Sequence, residues 1–153
     1  MCGFVLFSKN LSEKLGADFF INEIRHRGPD AKSSINVGNF ELGFCRLSIR
    51  DITEGTQPFE NENFISCING ELFNEFYVKS KLNELSIEAP IGDMRVLALF
   101  LSKVGVNGLS ELDGQFAGFI FNKLTNQLLL FRDKFGEKPL YYHLSNHELF
   151  VAR

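Results

Sequence analysis

The residue best suited to chemistry in this sequence is Cys2, which only Met1 precedes. Because a small second residue makes Met1 a target for removal, Cys2 is expected to become the mature N-terminus. A cysteine there combines a nucleophilic thiol with its own α-amine, whose ordinary pKa of about 7.7–8.0 suits a base near neutral pH. No histidine partner is then required. The competing interpretation is that Cys2 is simply the second residue of a buried strand.

The residue patterns of several other chemistries are missing. The sequence contains no G-x-G-x-x-G, G-x-x-x-x-G-K-[ST], G-x-S-x-G or H-E-x-x-H pattern, so dinucleotide, P-loop, serine-hydrolase and zinc-protease sites have no support. His143 and His147 have a spacing that metal ligands use, but they lie around an expected turn and no C-x-x-C accompanies them. We therefore predict no metal site and place both histidines on the surface.

Composition points to one folded domain. The 153 residues are 44% hydrophobic, carry a net charge of −3 and include three widely spaced cysteines. This length can bury a core, the odd cysteine count argues against a disulfide framework, and the charge offers no surface for nucleic acid. No apolar run approaches the roughly 20 residues of a membrane helix, and the N-terminus lacks signal-peptide features, so a cytoplasmic protein is expected. Cys45 and Cys67 lie in apolar runs and are predicted to be small buried hydrophobes.

The first part of the sequence predicts a strand, a helix and a hairpin. Residues 2–7 form an apolar run typical of a strand, and one helix ending at Gly28 and Pro29 is predicted next. The apolar residues of that helix recur at steps of three and four: Leu11, Leu15, Phe19, Phe20 and Ile24. Residues 37–39 (VGN) predict a hairpin between two strands. Residues 52–63 are expected to form a polar loop, and residues 64–68 a buried strand.

Asn69 and Gly70 directly follow that buried strand. The dipeptide N-G between apolar runs normally marks a hairpin, but the apolar residues after it have helical spacing. These residues are Leu72, Phe73, Phe76, Leu82 and Leu85. We therefore predict a strand, a turn at Asn69-Gly70 and then a helix. A turn of this kind presents free backbone N–H groups, which attract negative charge.

The remaining sequence predicts one more helix and two hairpins. The helix spans about residues 93–104, with Asp93 as its N-cap and Gly105 as its stop. The hairpins join residues 115–122 to 127–133 and residues 139–144 to 148–152. Helices placed apart along a strand-rich chain favour antiparallel sheets covered by helices.

Seven short segments stand in an order that is specific in combination. They are residues 2–4 (CGF), 25–30 (RHRGPD), 43–49 (GFCRLSI), 57–58 (QP), 69–74 (NGELFN), 112–117 (LDGQFA) and 132–142 (RDKFGEKPLYY). Together they resemble the class II (N-terminal nucleophile) glutamine amidotransferase domain that begins asparagine synthetases. The resemblance implies an α+β fold, the four-layer αββα sandwich of two stacked antiparallel sheets flanked by helices. It also implies hydrolysis of L-glutamine to glutamate and ammonia through a thioester on Cys2.

The resemblance also assigns roles to residues of the site. Cys2 would be the nucleophile, and the Asn69 side chain and the Gly70 backbone N–H would form the oxyanion hole. Arg46 would pair with the α-carboxylate of glutamine through its guanidinium fork. Asp93 would hold the α-ammonium group. The remaining contacts to glutamine would come from Leu47, Ser48, Ile49, Arg50 and Glu71.

Structural interpretations compete with several of these roles. Asn69 and Gly70 could serve turn formation alone, and Asp93 could serve helix capping alone. The family usually has His at the position of Phe44, and Ser-Asp-Thr-Glu where this chain has GDMR at residues 92–95, so Gly92 and Arg95 depart from the pattern. A non-catalytic glutamine-binding or regulatory remnant therefore stays open as the alternative.

The resemblance sets expectations for cofactors, partners and extent. Glutamine hydrolysis would need no cofactor, whereas ATP and Mg would be needed only by a synthetase domain or subunit that receives the ammonia. Residues 1–153 contain no synthetase sequence and are expected to be a single amidotransferase domain cut short at its C-terminal end. Neither a nucleic acid nor a membrane is expected as a partner.

Overall fold

The computed structural model describes residues 2–47 and 56–153 of the chain. The chain divides into two compact units, one made of Met1–Ile49 with Leu140–Arg153 and the other of Arg50–Pro139. Each unit contains one antiparallel sheet with helices packed on it, which confirms the predicted α+β class. Within the described residues, no helix is long and apolar enough to cross a membrane.

The described residues form strands and helices in the following chain order. They are β1 (Gly3–Ser8), α1 (Lys9–Leu15), α2 (Ala17–Ile24), β2 (Ala31–Val37), β3 (Phe40–Arg46), β4 (Phe59–Glu60), β5 (Phe64–Leu72), α3 (Glu75–Glu84), α4 (Asp93–Val104), β6 (Gly114–Asn122), β7 (Gln127–Arg132), β8 (Tyr141–Ser145) and β9 (Glu148–Ala152). Short 3-10 helices cover Arg25–Arg27 and Gly105–Glu111. The sheet of the first unit has the order β2-β3-β1-β9-β8, and that of the second β4-β5-β6-β7. All three predicted hairpins are confirmed.

The core of the first unit lies between its sheet and α2. Its buried residues are Val5, Phe7, Phe20, Ile21, Ile24 and Cys45. Because side chains alternate along a strand, Val5 and Phe7 on the helix-covered face leave Phe4 and Leu6 on the opposite face of β1. The same alternation puts the position of Cys2 on the face opposite the helices.

The single helix predicted after β1 is wrong, because the chain forms two helices that break at Gly16. Gly16 has a φ of 78°, a left-handed conformation that glycine adopts without a steric cost. The apolar spacing continues across the break, so periodicity alone could not reveal it. The predicted stop is confirmed, since the 3-10 turn ends at Arg27 with Gly28 as its C-cap.

The core of the second unit lies on the face of its sheet that α3 and α4 cover. Ile68 and Leu72 of β5 pack there with Phe116 of β6 and Leu97 of α4. The bounds predicted for α4 are confirmed, as is its stop at Gly105. The predicted N-cap is one residue off, because Gly92 occupies that position and Asp93 is the first helical residue.

The turn predicted at Asn69 and Gly70 is wrong, because β5 runs straight through both residues. The strand pairs with β6 along its whole length, from Phe64 opposite Asn122 to Leu72 opposite Gly114. Helix α3 begins only at Glu75. The apolar residue Phe76, which suggested an inward-facing helical stripe, is 89% exposed. A partner strand distant in sequence decides this conformation, and local spacing cannot show it.

The polar loop expected over residues 52–63 contains a short strand instead of being loop throughout. β4 pairs with β5 through Phe59 opposite Ser66 and Glu60 opposite Ile65. The predicted loop residues 52–55 lie outside the described residues.

Candidate active site

Cys2 lies directly before β1, and the backbone of Leu47 holds its thiol. The Leu47 N–H donates to Sγ at 3.4 Å, and the thiol donates to the Leu47 carbonyl oxygen at 3.5 Å. The side chain of Cys2 is half-buried. These two contacts fix the direction in which the sulfur points.

Arg46, the last residue of β3, lies opposite Cys2 when the strand register is continued. β1 and β3 pair Gly3 with Cys45, so continuing the register by one residue sets Arg46 opposite Cys2. The predicted nucleophile and the predicted carboxylate-binding cation are thus brought together at the ends of neighbouring strands.

The RHRGPD segment supports this end of β3 from the side. The backbones of Pro29 and Arg46 form an isolated parallel β-bridge, and the Asp30 N–H donates to the Arg46 carbonyl oxygen at 3.0 Å. Gly28 lies so close that an added Cβ would overlap the Cys45 carbonyl group and lie 2.6 Å from the Arg46 carbonyl carbon. Only glycine permits this approach.

Two arginines lie near Gly3 in the first unit. A Cβ added to Gly3 would lie 3.0 Å from Cδ of Arg27 and 3.1 Å from the carbonyl oxygen of Arg153. Nε and Nη2 of Arg27 and Nε of Arg153 are buried and have no hydrogen-bond partner in the part of the chain that the structure describes. Burial, followed by the charge of Arg27, lowers the pKa of Arg153 to about 10, against an opposing effect of Tyr141. The surroundings of Gly3 are therefore electropositive.

Asn69 presents a buried side-chain amide nitrogen that has no hydrogen-bond partner among the described residues. Ile68 and Leu72 face the core under α3 and α4, so Asn69 lies on the opposite face of β5. The residue is only 7% exposed, and its Nδ2 is buried without a hydrogen-bond partner among the described residues. Buried donors without an acceptor cost free energy and are rare in native proteins, so each one calls for an explanation. A donor kept for an anion that forms during a reaction is one such explanation.

The backbone N–H of Gly70 points to the edge of β5 away from β6. The N–H groups of a strand alternate between its two edges. Those of Ile68 and Leu72 bond to Gln57 Oε1 at 2.7 Å and to Asp93 Oδ2 at 3.0 Å, and neither acceptor belongs to β6. Since Gly70 lies between Ile68 and Leu72, its N–H points to this same edge.

No other strand of the described chain lies beside Gly70 at this edge. β4 ends its pairing with β5 at Ser66, four residues before Gly70. On the inner side, an added Cβ at Gly70 would overlap the Gln115 carbonyl oxygen and lie 2.5 Å from Phe116 Cα. The close approach of β6 therefore requires glycine at this position. Together, Asn69 and Gly70 supply two adjacent donors of the kind that an oxyanion hole uses.

Asp93 joins the start of α4 to the end of β5. Its Oδ1 accepts the N–H of Met94 at 2.8 Å, and its Oδ2 accepts the N–H of Leu72 at 3.0 Å. A carboxylate offers about four acceptor positions, so these bonds are compatible with an additional bond to an ammonium group. Glu71 is half-buried and lies on the same face of β5 as Asn69.

The departures from the family pattern have local explanations at two positions. Gly92 has a φ of 96°, where a serine would be strained. The guanidinium carbon of Arg95 lies 5.1 Å from the centre of the Phe59 ring, a cation–π contact. Phe44 is buried in β3, at 3% exposure, and nothing in the structure explains the change from histidine.

Asp133 organises the RDKFGEKPLYY segment. The residue is 4% exposed, and its carboxylate accepts four backbone N–H groups, those of Phe116, Phe135, Glu137 and Lys138 at 2.9–3.3 Å. Burial raises the pKa of Asp133, but the four N–H donors outweigh it and hold the pKa below its ordinary value. The contacts of this segment are those of a structural loop.

The structure thus groups the predicted site residues by unit. The first unit brings together Cys2, Arg46 and Leu47, and the second brings together Asn69, Gly70, Glu71 and Asp93. The other three predicted contacts, Ser48, Ile49 and Arg50, lie outside the described residues. Among the described residues, no group of three or more His, Cys, Asp or Glu side chains could hold a metal ion.

Sequence reasoning gave Gln57 no role, although the QP segment was part of the resemblance. Its side chain bonds to both backbone groups of Ile68, directly before Asn69. No local pattern connects a glutamine in a polar stretch to a strand eleven residues later. The connection emerges only once the end of β4 is known.

Comparison with known protein families shows one match over the whole chain. The family described as "Glutamine amidotransferase domain" matches residues 1–153. A probable glutamine-hydrolysing asparagine synthetase of Acanthamoeba polyphaga mimivirus is 37% identical over 154 residues, which cover 93% of this chain and 27% of that protein. A glutamine-hydrolysing asparagine synthetase of Bacillus subtilis is 34% identical over 161 residues, which cover 99% of this chain and 26% of that protein. The chain therefore spans about a quarter of the length of these curated relatives.

A solved structure shares the fold. The glutamine phosphoribosylpyrophosphate amidotransferase from B. subtilis superposes on this chain with a TM-score of 0.71. The match covers 99% of this chain and 41% of the amidotransferase chain. The sequence identity is 20%, so the likeness concerns the fold. The two antiparallel sheets with flanking helices agree with the α+β class that the resemblance implied.

Proposed function

The chain belongs to the glutamine amidotransferase domain family, and from this premise we propose that it hydrolyses L-glutamine to glutamate and ammonia with Cys2 as the nucleophile. Removal of Met1 would free the Cys2 α-amine to act as the base. The amine takes the thiol proton while sulfur attacks the side-chain carbonyl carbon of glutamine. It then returns the proton to the leaving nitrogen, which departs as ammonia and leaves a γ-glutamyl thioester. Water activated by the same amine cleaves the thioester and releases glutamate.

The observation that carries this proposal is the buried Nδ2 of Asn69, which no described residue bonds, beside the edge-facing N–H of Gly70. Each attack on the glutamyl carbonyl carbon produces a tetrahedral oxyanion. Donors already in place for that oxygen stabilise the transition state without reorganisation, and one such donor is worth about 2.7–4 kcal/mol in comparable enzymes.

Recognition of the amino-acid end of glutamine needs one cation and one anion. The Arg46 fork suits the α-carboxylate, because a guanidinium can donate two parallel hydrogen bonds to it. The Asp93 carboxylate suits the α-ammonium group, since its oxygens accept further hydrogen bonds. Glu71 and the backbone of residues 47–50 complete the proposed contacts. The reaction needs no metal or organic cofactor.

The test of this function is release of ammonia from glutamine by the parent protein and by Cys2→Ala. We expect release by the parent and only the uncatalysed background with Cys2→Ala. The control is Cys67→Ala, which also removes one thiol, from a fully buried position on β5 that has no proposed part in the chemistry. It should keep kcat within a fewfold of the parent. Ammonia release that persists in Cys2→Ala would contradict the proposed mechanism.

We further propose that the ammonia passes to a synthetase domain or subunit. This proposal rests on the relatives, which are named glutamine-hydrolysing asparagine synthetases and are about four times as long as the chain. It is tested by supplying a synthetase domain with aspartate, ATP and Mg, and with glutamine as the only nitrogen source. Asparagine should form when this chain is present and should not form with Cys2→Ala. Equal asparagine formation with and without the chain would contradict the proposal.

A further inference from the structure

The side-chain amide of Gln57 forms the pair of backbone hydrogen bonds that a residue of a neighbouring strand would form with β5. The residue comes two positions before β4 and is 8% exposed. Its Nε2 donates to the Ile68 carbonyl oxygen at 2.6 Å, and its Oε1 accepts the Ile68 N–H at 2.7 Å. A primary amide offers a donor and an acceptor side by side, as does a backbone residue of a neighbouring strand. The Gln57 side chain therefore replaces strand pairing at Ile68.

The place of this replacement is where backbone pairing on that edge stops. β4 pairs with Ile65 and Ser66, and the next residue of β5 facing the same edge is Ile68. Without Gln57, the buried N–H and C=O of Ile68 would lose both bonds described at this edge. Buried backbone groups are almost always paired, so β5 would have to shift or admit water there.

The bond to Ile68 reaches Asn69 through a rigid link. The Ile68 carbonyl and the Asn69 N–H belong to one planar peptide unit, so fixing the carbonyl oxygen fixes the plane that carries Asn69. At the other end, Asp93 holds the N–H of Leu72. At the edge of β5 away from β6, the segment with both proposed oxyanion donors is thus held on each side by a side chain.

We propose that Gln57 is a positioning residue that sets Asn69 and Gly70 in place for the developing oxyanion. The inference rests on the proposed glutamine hydrolysis. Gln57 itself touches no reacting atom in this role. Because displacement of a catalytic group by about 1 Å can cost around 10²-fold in rate, loss of Gln57 should lower kcat roughly 10- to 100-fold. The KM for glutamine should change less than about threefold, because substrate recognition depends on other residues.

The test compares Gln57→Met with the parent protein. Methionine has a similar length and removes both bonds to Ile68. Gln57→Glu is the second variant, which keeps an acceptor for the Ile68 N–H but places an oxygen against the Ile68 carbonyl. Initial rates over a range of glutamine concentrations, measured well below the unfolding midpoint of each variant, separate kcat from KM.

Asn61→Ala is the matched control in the same hairpin. The Asn61 Oδ1 accepts the N–H groups of Asn63 and Phe64 at 2.9 Å, so this variant also loses two side-chain-to-backbone bonds beside β5. It lies away from Asn69 and should lower Tm while leaving kcat within twofold. An equal fall of kcat in Asn61→Ala and Gln57→Met, at equal loss of Tm, would show that Gln57 acts only through overall stability.

A double-mutant cycle with Asn69→Ala identifies the donor through which Gln57 acts. If Gln57 works by placing Asn69, then Gln57→Met should cost less than about threefold in kcat once Asn69 is alanine. If the double variant instead loses kcat by the product of the two single-variant factors, the inference is overturned. It is also overturned if the parent is active and both Gln57 variants keep its full kcat. A parent without Cys2-dependent ammonia release would instead overturn the proposed function, and the role of Gln57 with it.

Discussion

Replacing Asn69 by leucine should raise stability and abolish most of the activity at the same time. Leucine has nearly the shape of asparagine, so the change removes the amide without opening a large cavity. In the free protein the Asn69 Nδ2 is buried with no partner in the described chain. An unsatisfied buried donor costs about 1–3 kcal/mol, and leucine removes that cost. For a chain of this size the gain corresponds to a rise in Tm of roughly 2–12 °C.

The loss of activity follows from the same nitrogen atom. If Nδ2 donates to the oxyanion, its removal should cost about 2.7–4 kcal/mol of transition-state stabilisation, which lowers kcat by about 10²–10³-fold. The KM for glutamine should change little, because the oxyanion exists only after attack on the substrate.

The assay pairs thermal unfolding with glutamine kinetics for Asn69→Leu and a control, Asn122→Leu. The Asn122 Oδ1 accepts the N–H groups of Leu124 and Thr125 at 2.9 and 3.0 Å, so this side-chain oxygen has a structural role. The control should therefore lower Tm and keep kcat, which is the opposite of the result expected for Asn69→Leu. A variant Asn69→Leu that retains kcat would refute the oxyanion role. A clear fall in its Tm would refute the view that Asn69 is kept at a cost to stability.

Three further predictions concern binding and stability. Arg46→Lys should raise the KM for glutamine about tenfold in steady-state kinetics and leave kcat nearly unchanged. The reason is that a point charge replaces the guanidinium fork, so about one charge-assisted hydrogen bond to the α-carboxylate is lost. An unchanged KM would argue against the carboxylate contact. Asp133→Asn should lower the free energy of unfolding by about 2–4 kcal/mol at pH 7, measured with denaturant, since the carboxylate accepts four backbone N–H groups. Because the folded pKa of Asp133 lies below its ordinary value, its contribution is present above the unfolded pKa of about 3.9 and disappears as the pH falls through the folded pKa. The difference between parent and variant should therefore shrink in acid, and a constant difference down to pH 2 would contradict this origin. Arg153→Met should raise Tm at pH 7, by the equivalent of about 1–3 kcal/mol, because it removes a buried charge beside Arg27. Because the folded pKa of about 10 lies below the ordinary value of an arginine, the penalty is full below pH 10 and fades as the pH rises through it. A lower Tm in Arg153→Met would contradict this cost.

The parts of the fold that could be predicted are those set by local chemistry. Helix α4 ends where the sequence predicts, because Gly105 follows it in a left-handed conformation that glycine favours. The hairpin at residues 37–39 likewise follows from its own turn residues, with Gly38 at a φ of 58°. The candidacy of Cys2 likewise depends only on local sequence, because a cysteine directly after Met1 can become an N-terminal nucleophile.

The parts that could not be predicted depend on partners distant in sequence. Asn69 and Gly70 read as a turn because nothing local reveals that β6 pairs with them. The N–H of Gly70 faces this edge through the alternation along β5, and among the described residues no strand pairs with it there because β4 is short. The proposed role of Gln57 cannot be predicted without knowing that β5 continues through Asn69 and that β4 is short. The Gln57 amide bonds to Ile68 at the position where the pairing with β4 stops. The break at Gly16 interrupts a helix whose apolar spacing continues on both sides.

The mass of the N-terminal peptide after reaction with glutamine tests the central proposal most directly. The protein is mixed with glutamine, quenched in acid during turnover and digested, and the peptide that contains Cys2 is weighed. We predict a peptide that begins at Cys2, without Met1, and that carries one glutamyl group on sulfur during turnover and none after the substrate is exhausted. Glutamine hydrolysis by a protein that retains Met1, or turnover with the glutamyl group on another residue, would contradict Cys2 as an N-terminal nucleophile.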